Sequence, residues 1–268
     1  CTKPVVAIFL GEKPENHEGK VYLAHTLEET ARMAVDLANG DPIKDNYCDP
    51  IDYEVSRPLA ADKTVKGLYS GGSLAAEAGM LIAEALNLGG LIKEEGYILK
   101  TGGYEVVDLG DDVYTQGKPH PMIDPEVRIK KILECAKDPQ TGVILLDCML
   151  GYGCHPDMAG ALAPAIREAQ EIAKADGREL YFVASVCGTR QDPQDYDRAV
   201  AELKECGVLV EESNARAIRL ALKLKGIDYK ENTRGHVEAA VDETPLPEPD
   251  EKIMELLNTK PRVINVGV

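Results

Sequence analysis

The sequence has no tryptophan, only two phenylalanines, and no apolar run longer than a strand. A membrane-spanning helix needs about 20 consecutive apolar residues, so we predict no helix that spans a membrane. Positive charge is also scarce. The formal net charge of −16 argues against a nucleic-acid backbone or an anionic membrane as a partner. A small anionic substrate remains compatible with this charge, because backbone amides can oppose it locally.

Several cysteine and glycine motifs are missing as well. The seven cysteines include no Cys-x-x-Cys pair, which is typical of reduced thiols in a cytoplasmic protein. Their spacing fits no standard metal site, so we predict no bound metal. Cys148, Cys154 and Cys187 fall near the ends of predicted strands, where small buried thiols are common. The glycine-rich turn Ser70–Ser73 is neither a Walker sequence nor a dinucleotide fingerprint.

What the sequence does contain is a regular alternation of short apolar strands and helical patterns. Five strand–helix pairs follow one another in residues 63–226. Such an alternation predicts a parallel sheet with right-handed crossovers. We therefore predict an α/β, flavodoxin-like domain with strand order 2-1-3-4-5. Its strand order reverses between the first and third strands, where such sheets bind ligands.

The flanking segments are less regular. Residues 1–40 hold an apolar strand and a capped helix, which we interpret as part of a second α/β domain whose remainder lies upstream. Residues 41–62 contain three prolines and are interpreted as a linker. Residues 227–268 form a C-terminal extension with a terminal strand. Because the first strand begins almost at residue 1 and needs neighbours, we expect a longer polypeptide.

Two glycine-rich turns are predicted to meet at the reversal of strand order. The turn Ser70-Gly71-Gly72-Ser73 joins the first strand to its helix and can bind an anion on backbone amides; the alternative is a tight turn with a serine N-cap. The turn Gly151–Asp157 joins the third strand to its helix. Gly151 and Gly153 would supply further amide donors there.

Two histidines and an arginine supply side-chain chemistry near these turns. His155 can act as a general acid or base, a phosphoryl acceptor or a donor to a carboxylate; the alternative is a cap on the following helix. His120 lies between two prolines, which suits either a preorganised catalytic group or a rigid loop. Arg190 follows the fourth strand and can anchor a carboxylate or phosphate, or form a surface salt bridge.

Several motifs resemble one group of proteins. Thr2-Lys-Pro-Val-Val is similar to a stretch of the ligase domain in the α subunit of succinyl-CoA synthetase. Three further motifs resemble the FdrA family, whose members are related to that synthetase: Gly67–Ser73, Pro119–Asp124 and Gly151–Asp157. The resemblance covers nearly the whole chain and implies a ligase domain of the succinyl-CoA synthetase type.

In that superfamily, paired flavodoxin-like domains carry phosphoryl on a histidine held at the amino ends of two helices. The resemblance implies that CoA or phosphate takes part, and that ATP does so only through domains outside this chain. It implies that the Gly151–Pro156 loop presents one of those helix ends. It also implies a missing N-terminal CoA-binding domain, and partner subunits or a homo-oligomer.

The superfamily's phosphohistidine loop, Gly-His-Ala-Gly-Ala, is replaced here by Gly11–Lys20, in which His17 lacks small flanking residues. FdrA-like proteins are associated with purine (allantoin) breakdown, including carbamoyl transfer from oxalurate to phosphate, which needs no phosphohistidine. We therefore predict an enzyme component that moves an acyl or carbamoyl group between a carboxylate or amide and phosphate or CoA. His155 and His120 are its predicted catalytic residues. The alternative is a degenerate synthetase domain that serves as a non-catalytic scaffold or regulatory subunit.

Overall fold

The computed structural model describes residues 2–10, 19–89 and 94–230. The chain divides into two units, 1–236 and 237–268, and every described residue lies in the first. The loop that contains His17 and the predicted C-terminal strand lie outside the described residues. In the described part of the chain, no helix has the length and apolar character needed to cross a bilayer.

A six-stranded sheet lies at the centre of the described unit. Its strands are β3 (Thr64–Tyr69), β4 (Tyr97–Thr101), β5 (Tyr104–Asp108), β6 (Thr141–Met149), β7 (Tyr181–Cys187) and β8 (Val208–Glu211). Their spatial order is β4-β5-β3-β6-β7-β8, and all neighbours except β4 and β5 run parallel. Leaving out β4, this is the predicted order 2-1-3-4-5, so the flavodoxin-like fold is confirmed.

Helices cover both faces of this sheet. They are α2 (Gly72–Leu86), α3 (Asp112–Thr115), α4 (Glu126–Lys137), α5 (Met158–Ala175), α6 (Tyr196–Glu205) and α7 (Asn214–Leu224). One apolar core contains residues of α2 and α7, and the other contains residues of α4, α5 and α6.

The central strand β6 explains why the sheet needs two covered faces. Ile144 and Leu146 lie in the core under α4–α6, whereas Val143 and Leu145 lie in the core under α2 and α7. All four side chains are at most 1% exposed. Burying an aliphatic side chain of this kind contributes about 1.5–3 kcal/mol, so a continuous apolar run is stable only between two helical layers.

The N-terminal segment forms a separate two-stranded parallel sheet. It consists of β1 (Val5–Ile8) and β2 (Val21–Ala24), which α1 (Leu27–Asn39) contacts. The sequence did not indicate β2. As predicted, α1 is capped at Thr26, whose Oγ1 accepts the Glu29 amide at 3.1 Å. Residues 41–62 contain neither helix nor strand. The predicted domain boundaries stay a prediction.

Strand β4 was missed because only Tyr97–Leu99 is apolar in that region. It pairs antiparallel with β5 through a two-residue turn, Gly102-Gly103, in which both glycines have positive φ. A Gly-Gly turn with positive φ at both positions is a favoured hairpin connection. The signal was therefore present in the sequence.

Candidate functional site

The carboxyl ends of β5, β3 and β6 lie side by side, because β3 pairs with both of the other strands. The strand order reverses at β3, and open α/β sheets bind ligands at such a reversal. The loops that leave these three strands contain most of the predicted site residues.

The centre of this edge is Asp147, near the end of β6. Its carboxylate accepts the amides of Ser70 at 3.0 Å and Gly71 at 2.8 Å, and the Ser70 hydroxyl also lies 3.0 Å from it. Arg128 Nη2 donates to the same carboxylate at 2.9 Å, and both side chains are 0% exposed. The turn after β3 is therefore locked by an internal anion.

This arrangement changes the interpretation of the turn Ser70–Ser73. The amides of Ser70 and Gly71, predicted to hold an external anion, are satisfied by Asp147. The serine N-cap that was the alternative for this turn is also absent, since the N-cap of α2 is Gly71, without a side-chain hydrogen bond. Gly72 and Ser73 follow in the first turn of α2 and are exposed. Ligand binding by this turn stays a prediction, and Gly72 and Ser73 are the residues of the turn that are exposed to a ligand.

Sequence reasoning did not select Arg128. The residue is fully buried at the start of α4, and its Nε and Nη1 have no hydrogen-bond partner among the described residues. The buried positions of α4 are Arg128, Ile132 and Ala136, one helical stripe. An arginine that continues an apolar stripe is a signal of a buried ion pair, and it could have been found from the sequence.

A second acidic residue, Asp108, ends β5 on the other side of β3. Its Oδ1 accepts the Gly110 amide at 2.8 Å. Its Oδ2 lies 2.7 Å from the position that a Cβ on Gly72 would occupy, so the carboxylate adjoins the amino end of α2. Burial raises the pKa of Asp108, and the charge of Asp147 adds to this effect. Sequence reasoning had not selected Asp108 either.

His120 belongs to the same cluster. Its Nε2 lies 2.5 Å from the position of a Cβ on Gly110, and Asp108 Oδ1 lies 3.1 Å from that position. The imidazole and the carboxylate therefore flank the same glycine. The structure thus places one oxygen of Asp108 close to Gly72, and the other on the same glycine, Gly110, as the predicted His120.

His120 and His155 share one local geometry. Each is followed by proline, and each Nδ1 accepts the amide two residues further on: that of Met122 at 3.2 Å and that of Asp157 at 3.0 Å. A ring nitrogen that accepts an amide hydrogen carries no proton, so the neutral ring carries its proton on Nε2. The His155 amide also donates to the Met122 carbonyl at 2.7 Å, which joins the two loops.

The loop Gly151–Asp157 is held largely by its own neighbours. The Gly151 amide donates to Gln194 Oε1 at 2.9 Å, and Gln194 Nε2 donates back to the Gly151 carbonyl at 3.0 Å. Asp157, not His155, caps α5 by accepting the Gly160 amide at 3.1 Å. The capping alternative for His155 is therefore wrong. Gly153 is exposed, with φ of +85°.

The side-chain hydrogen bonds of Arg190 are to a residue outside this cluster. Its Nε and Nη2 donate to the two oxygens of Asp197 at 2.9 and 2.8 Å, and both side chains are exposed. Its hydrogen bonds to Asp197 raise the pKa of Arg190. The surface salt bridge that the sequence left open is present, and an anion at Arg190 would compete with Asp197.

The cysteines near the carboxyl edge are protonated at neutral pH. Burial raises the pKa of Cys148 to about 12, and it also raises the pKa of Cys154 and Cys187. A thiol is nucleophilic as its thiolate, so these pKa shifts oppose a nucleophilic role. In residues 2–10, 19–89 and 94–230, no group of three His, Cys, Asp or Glu side chains is arranged to hold a metal.

The fold and its carboxyl edge define a flavodoxin-like α/β domain with a candidate ligand site. Residues 68–224, more than half of the chain, match the CoA-ligase family. The chain belongs to the CoA-ligase family, within the acyl-CoA synthetase-like superfamily.

A curated relative is similar over most of this chain. The uncharacterized protein YahF of Escherichia coli (strain K12) is 35% identical over 238 residues, which cover 82% of this chain and 45% of YahF. The chain thus spans less than half the length of that relative.

Proposed function

We propose that the chain is a component of an acyl-CoA synthetase-like enzyme that moves an acyl or carbamoyl group between a carboxylate or amide and phosphate or CoA. The membership of residues 68–224 in the CoA-ligase family carries this proposal. Group transfer of this kind needs donors where negative charge develops and a group that exchanges protons. The carboxyl edge offers both.

The donors come from the first turn of α2. The exposed Gly72 and Ser73 are at the positive end of the helix dipole, where a carbonyl oxygen or phosphate is stabilised. The Nε2–H groups of His120 and His155 are additional donors on the adjoining loops. In this proposal His155 stabilises charge on the acyl group.

The resemblance of the three motifs to FdrA proteins supports a narrower proposal. On that basis the chain would act in purine breakdown in the cytoplasm and transfer a carbamoyl group. Because the chain spans 45% of YahF, we propose that a CoA-binding domain and partner subunits or a second copy complete the enzyme. ATP, where used, would bind in those parts.

A non-catalytic scaffold is the second candidate. Two observations favour it: Asp147 occupies the amides of Ser70 and Gly71, and Asp197 occupies Arg190. A scaffold would bind partner subunits without binding small anions at the carboxyl edge.

Calorimetric titration distinguishes the two candidates. The chain would be titrated with phosphate, CoA, carbamoyl phosphate, oxamate and succinate, and then assayed for thioester formation from acetyl phosphate and CoA. We expect small anions to bind, and binding to weaken in Ser73→Pro, which removes an amide of α2 that no side chain caps. Lys137→Ala, far along α4, is the control. Absence of binding by every small anion in this series would contradict the enzyme proposal.

A further inference from the structure

We propose that Asp108 is the general base of this site and that His120 is its positioning residue. The inference rests on the proposed function, because it assigns the proton transfer of the same acyl or carbamoyl exchange. Neither the family match nor the motifs singled out in the sequence assign a role to Asp108.

The two oxygens of Asp108 have different environments. Oδ1 accepts the Gly110 amide at 2.8 Å, which fixes the side chain. Oδ2 has no hydrogen-bond partner among the described residues and lies 2.7 Å from the Cβ position of Gly72. One oxygen therefore anchors the carboxylate, while the other faces the helix end at which a reacting carbonyl would bind.

His120 limits where Asp108 can lie. Its Nδ1 accepts the Met122 amide, so the neutral ring presents Nε2–H toward Gly110. A side chain on Gly110 would meet His120 Nε2 at 2.5 Å, the Ser70 carbonyl at 3.0 Å and Asp108 Oδ1 at 3.1 Å. A glycine is the residue that lets the imidazole and the carboxylate approach so closely.

The charges around Asp108 suit a base. Burial and the negative charges of Asp111 and Asp147 raise its pKa, while the Gly110 amide and His120 lower it in part. A carboxylate with a raised pKa holds a proton more firmly than an ordinary aspartate, so it is a better acceptor near neutral pH.

The step conserves atoms and charge. As the thiol sulfur of CoA or a phosphate oxygen forms its bond to the acyl carbon, Asp108 Oδ2 takes up the proton that this nucleophile loses. The electron pair of the cleaved bond leaves with the departing group. Asp108 then returns the proton to that group, and His120 keeps the carboxylate oriented throughout.

The test compares Asp108→Asn with Asp138→Asn in the full chain. Asp138 is a matched control, because its Oδ1 also accepts the amide two residues on, that of Gln140 at 2.9 Å, but it precedes β6 at the amino end of the sheet. Titration with inorganic phosphate in two buffers of different ionisation enthalpy measures affinity and proton uptake. Thioester formation from acetyl phosphate and CoA measures transfer.

We expect the wild type and Asp138→Asn to take up a proton with phosphate, because a nearby anion favours the protonated form of Asp108. Asp108→Asn should lack that proton uptake, bind phosphate at least as tightly, and transfer roughly 10²–10⁴-fold more slowly. In His120→Asn the amide oxygen can replace Nδ1 as the acceptor of the Met122 amide. Because His120 lowers the pKa of Asp108, this variant should move the acidic limb of the kcat/KM profile to higher pH.

Three results would overturn the assignment of Asp108. They are unchanged proton uptake in Asp108→Asn, unchanged transfer in that variant, or loss of phosphate binding with the fold intact, which would make Asp108 a phosphate-binding residue and not a base. Failure of the wild type to bind phosphate would instead overturn the proposed function, and with it this inference.

Discussion

The buried Arg128–Asp147 pair gives the sharpest stability prediction. Asp147→Asn keeps the shape of the side chain but removes the charge that balances Arg128, and neither side chain is exposed. Removing one partner of a buried pair costs about 3–5 kcal/mol, because the other charge is left uncompensated. The amide also offers one acceptor oxygen where the carboxylate offered two to Ser70 and Gly71.

Urea denaturation followed by circular dichroism would measure this change as the free energy of unfolding. We expect a loss of about 3–5 kcal/mol, a large fraction of the roughly 5–15 kcal/mol that stabilises a typical domain. Adding Arg128→Met should recover part of the loss, since an apolar side chain replaces the uncompensated cation. Recovery should be incomplete, because the donors of Ser70 and Gly71 remain short of acceptors.

Asp197→Asn is the matched control for this experiment. It breaks an arginine–carboxylate pair of similar length, 2.8 Å in Arg190–Asp197 against 2.9 Å in Arg128–Asp147, but at an exposed position. We expect no measurable change in stability there, because solvent screens the pair. The reasoning fails if Asp147→Asn is no less stable than Asp197→Asn, or if adding Arg128→Met to Asp147→Asn recovers nothing.

Three further predictions test the edge and its charges. Gly72→Ala should displace the Asp108 carboxylate, whose Oδ2 lies 2.7 Å from the new Cβ, so proton uptake with phosphate should fall in calorimetry while the circular dichroism spectrum stays unchanged. Urea titrations across pH should give opposite signs for two variants. The pKa of Asp108 is raised in the folded protein, so its ionised carboxylate destabilises the fold at neutral pH. Asp108→Asn should therefore be more stable than wild type at neutral pH. The pKa of Asp138 is lowered overall: burial raises it, but the Gln140 amide and Lys66 lower it by more. The ionised form therefore stabilises the fold, and Asp138→Asn should be less stable than wild type at neutral pH. Both differences should vanish in acid, and the opposite pattern would contradict these assignments. Cys148, buried with a pKa of about 12, should react with iodoacetamide in the native protein far more slowly than the exposed Cys187, as mass spectrometry would show.

The strand order was predictable because its signals are local. The run Val143–Leu146 is apolar without alternation, as a strand between two helical layers requires, and it precedes the 18-residue helix α5. The repeated strand–helix alternation leaves few topologies once crossovers are right-handed. The signal for the hairpin, Gly102-Gly103, was also local, but strand β4 was missed because its apolar segment is short.

The contacts of the site could not be predicted in the same way. Asp147 is 77 residues from Ser70 in the chain, and nothing near either residue shows that the carboxylate turns inward onto that turn. The sequence correctly predicted a glycine-rich turn at this edge of the sheet, but it could not show which anion the amides of that turn bind. The contact of Asp108 with the end of α2 depends likewise on the pairing of β5 with β3, a property of the folded sheet.

The charges at the carboxyl edge restrict what can bind there. Asp147 accepts the Ser70 and Gly71 amides and pairs with Arg128, while the Asp108 carboxylate lies beside Gly72 in the first turn of α2. A neutral acyl carbonyl can bind beside ionised Asp108, whereas a phosphate anion binds there more readily when Asp108 is protonated. In the proposed reaction, attack by phosphate or thiol on the carbonyl would transfer a proton to Asp108 as negative charge develops on the substrate. In the proposed reaction, the protonation of Asp108 and the charge at the end of α2 would therefore change together, which permits one helix end to hold both reactant and product.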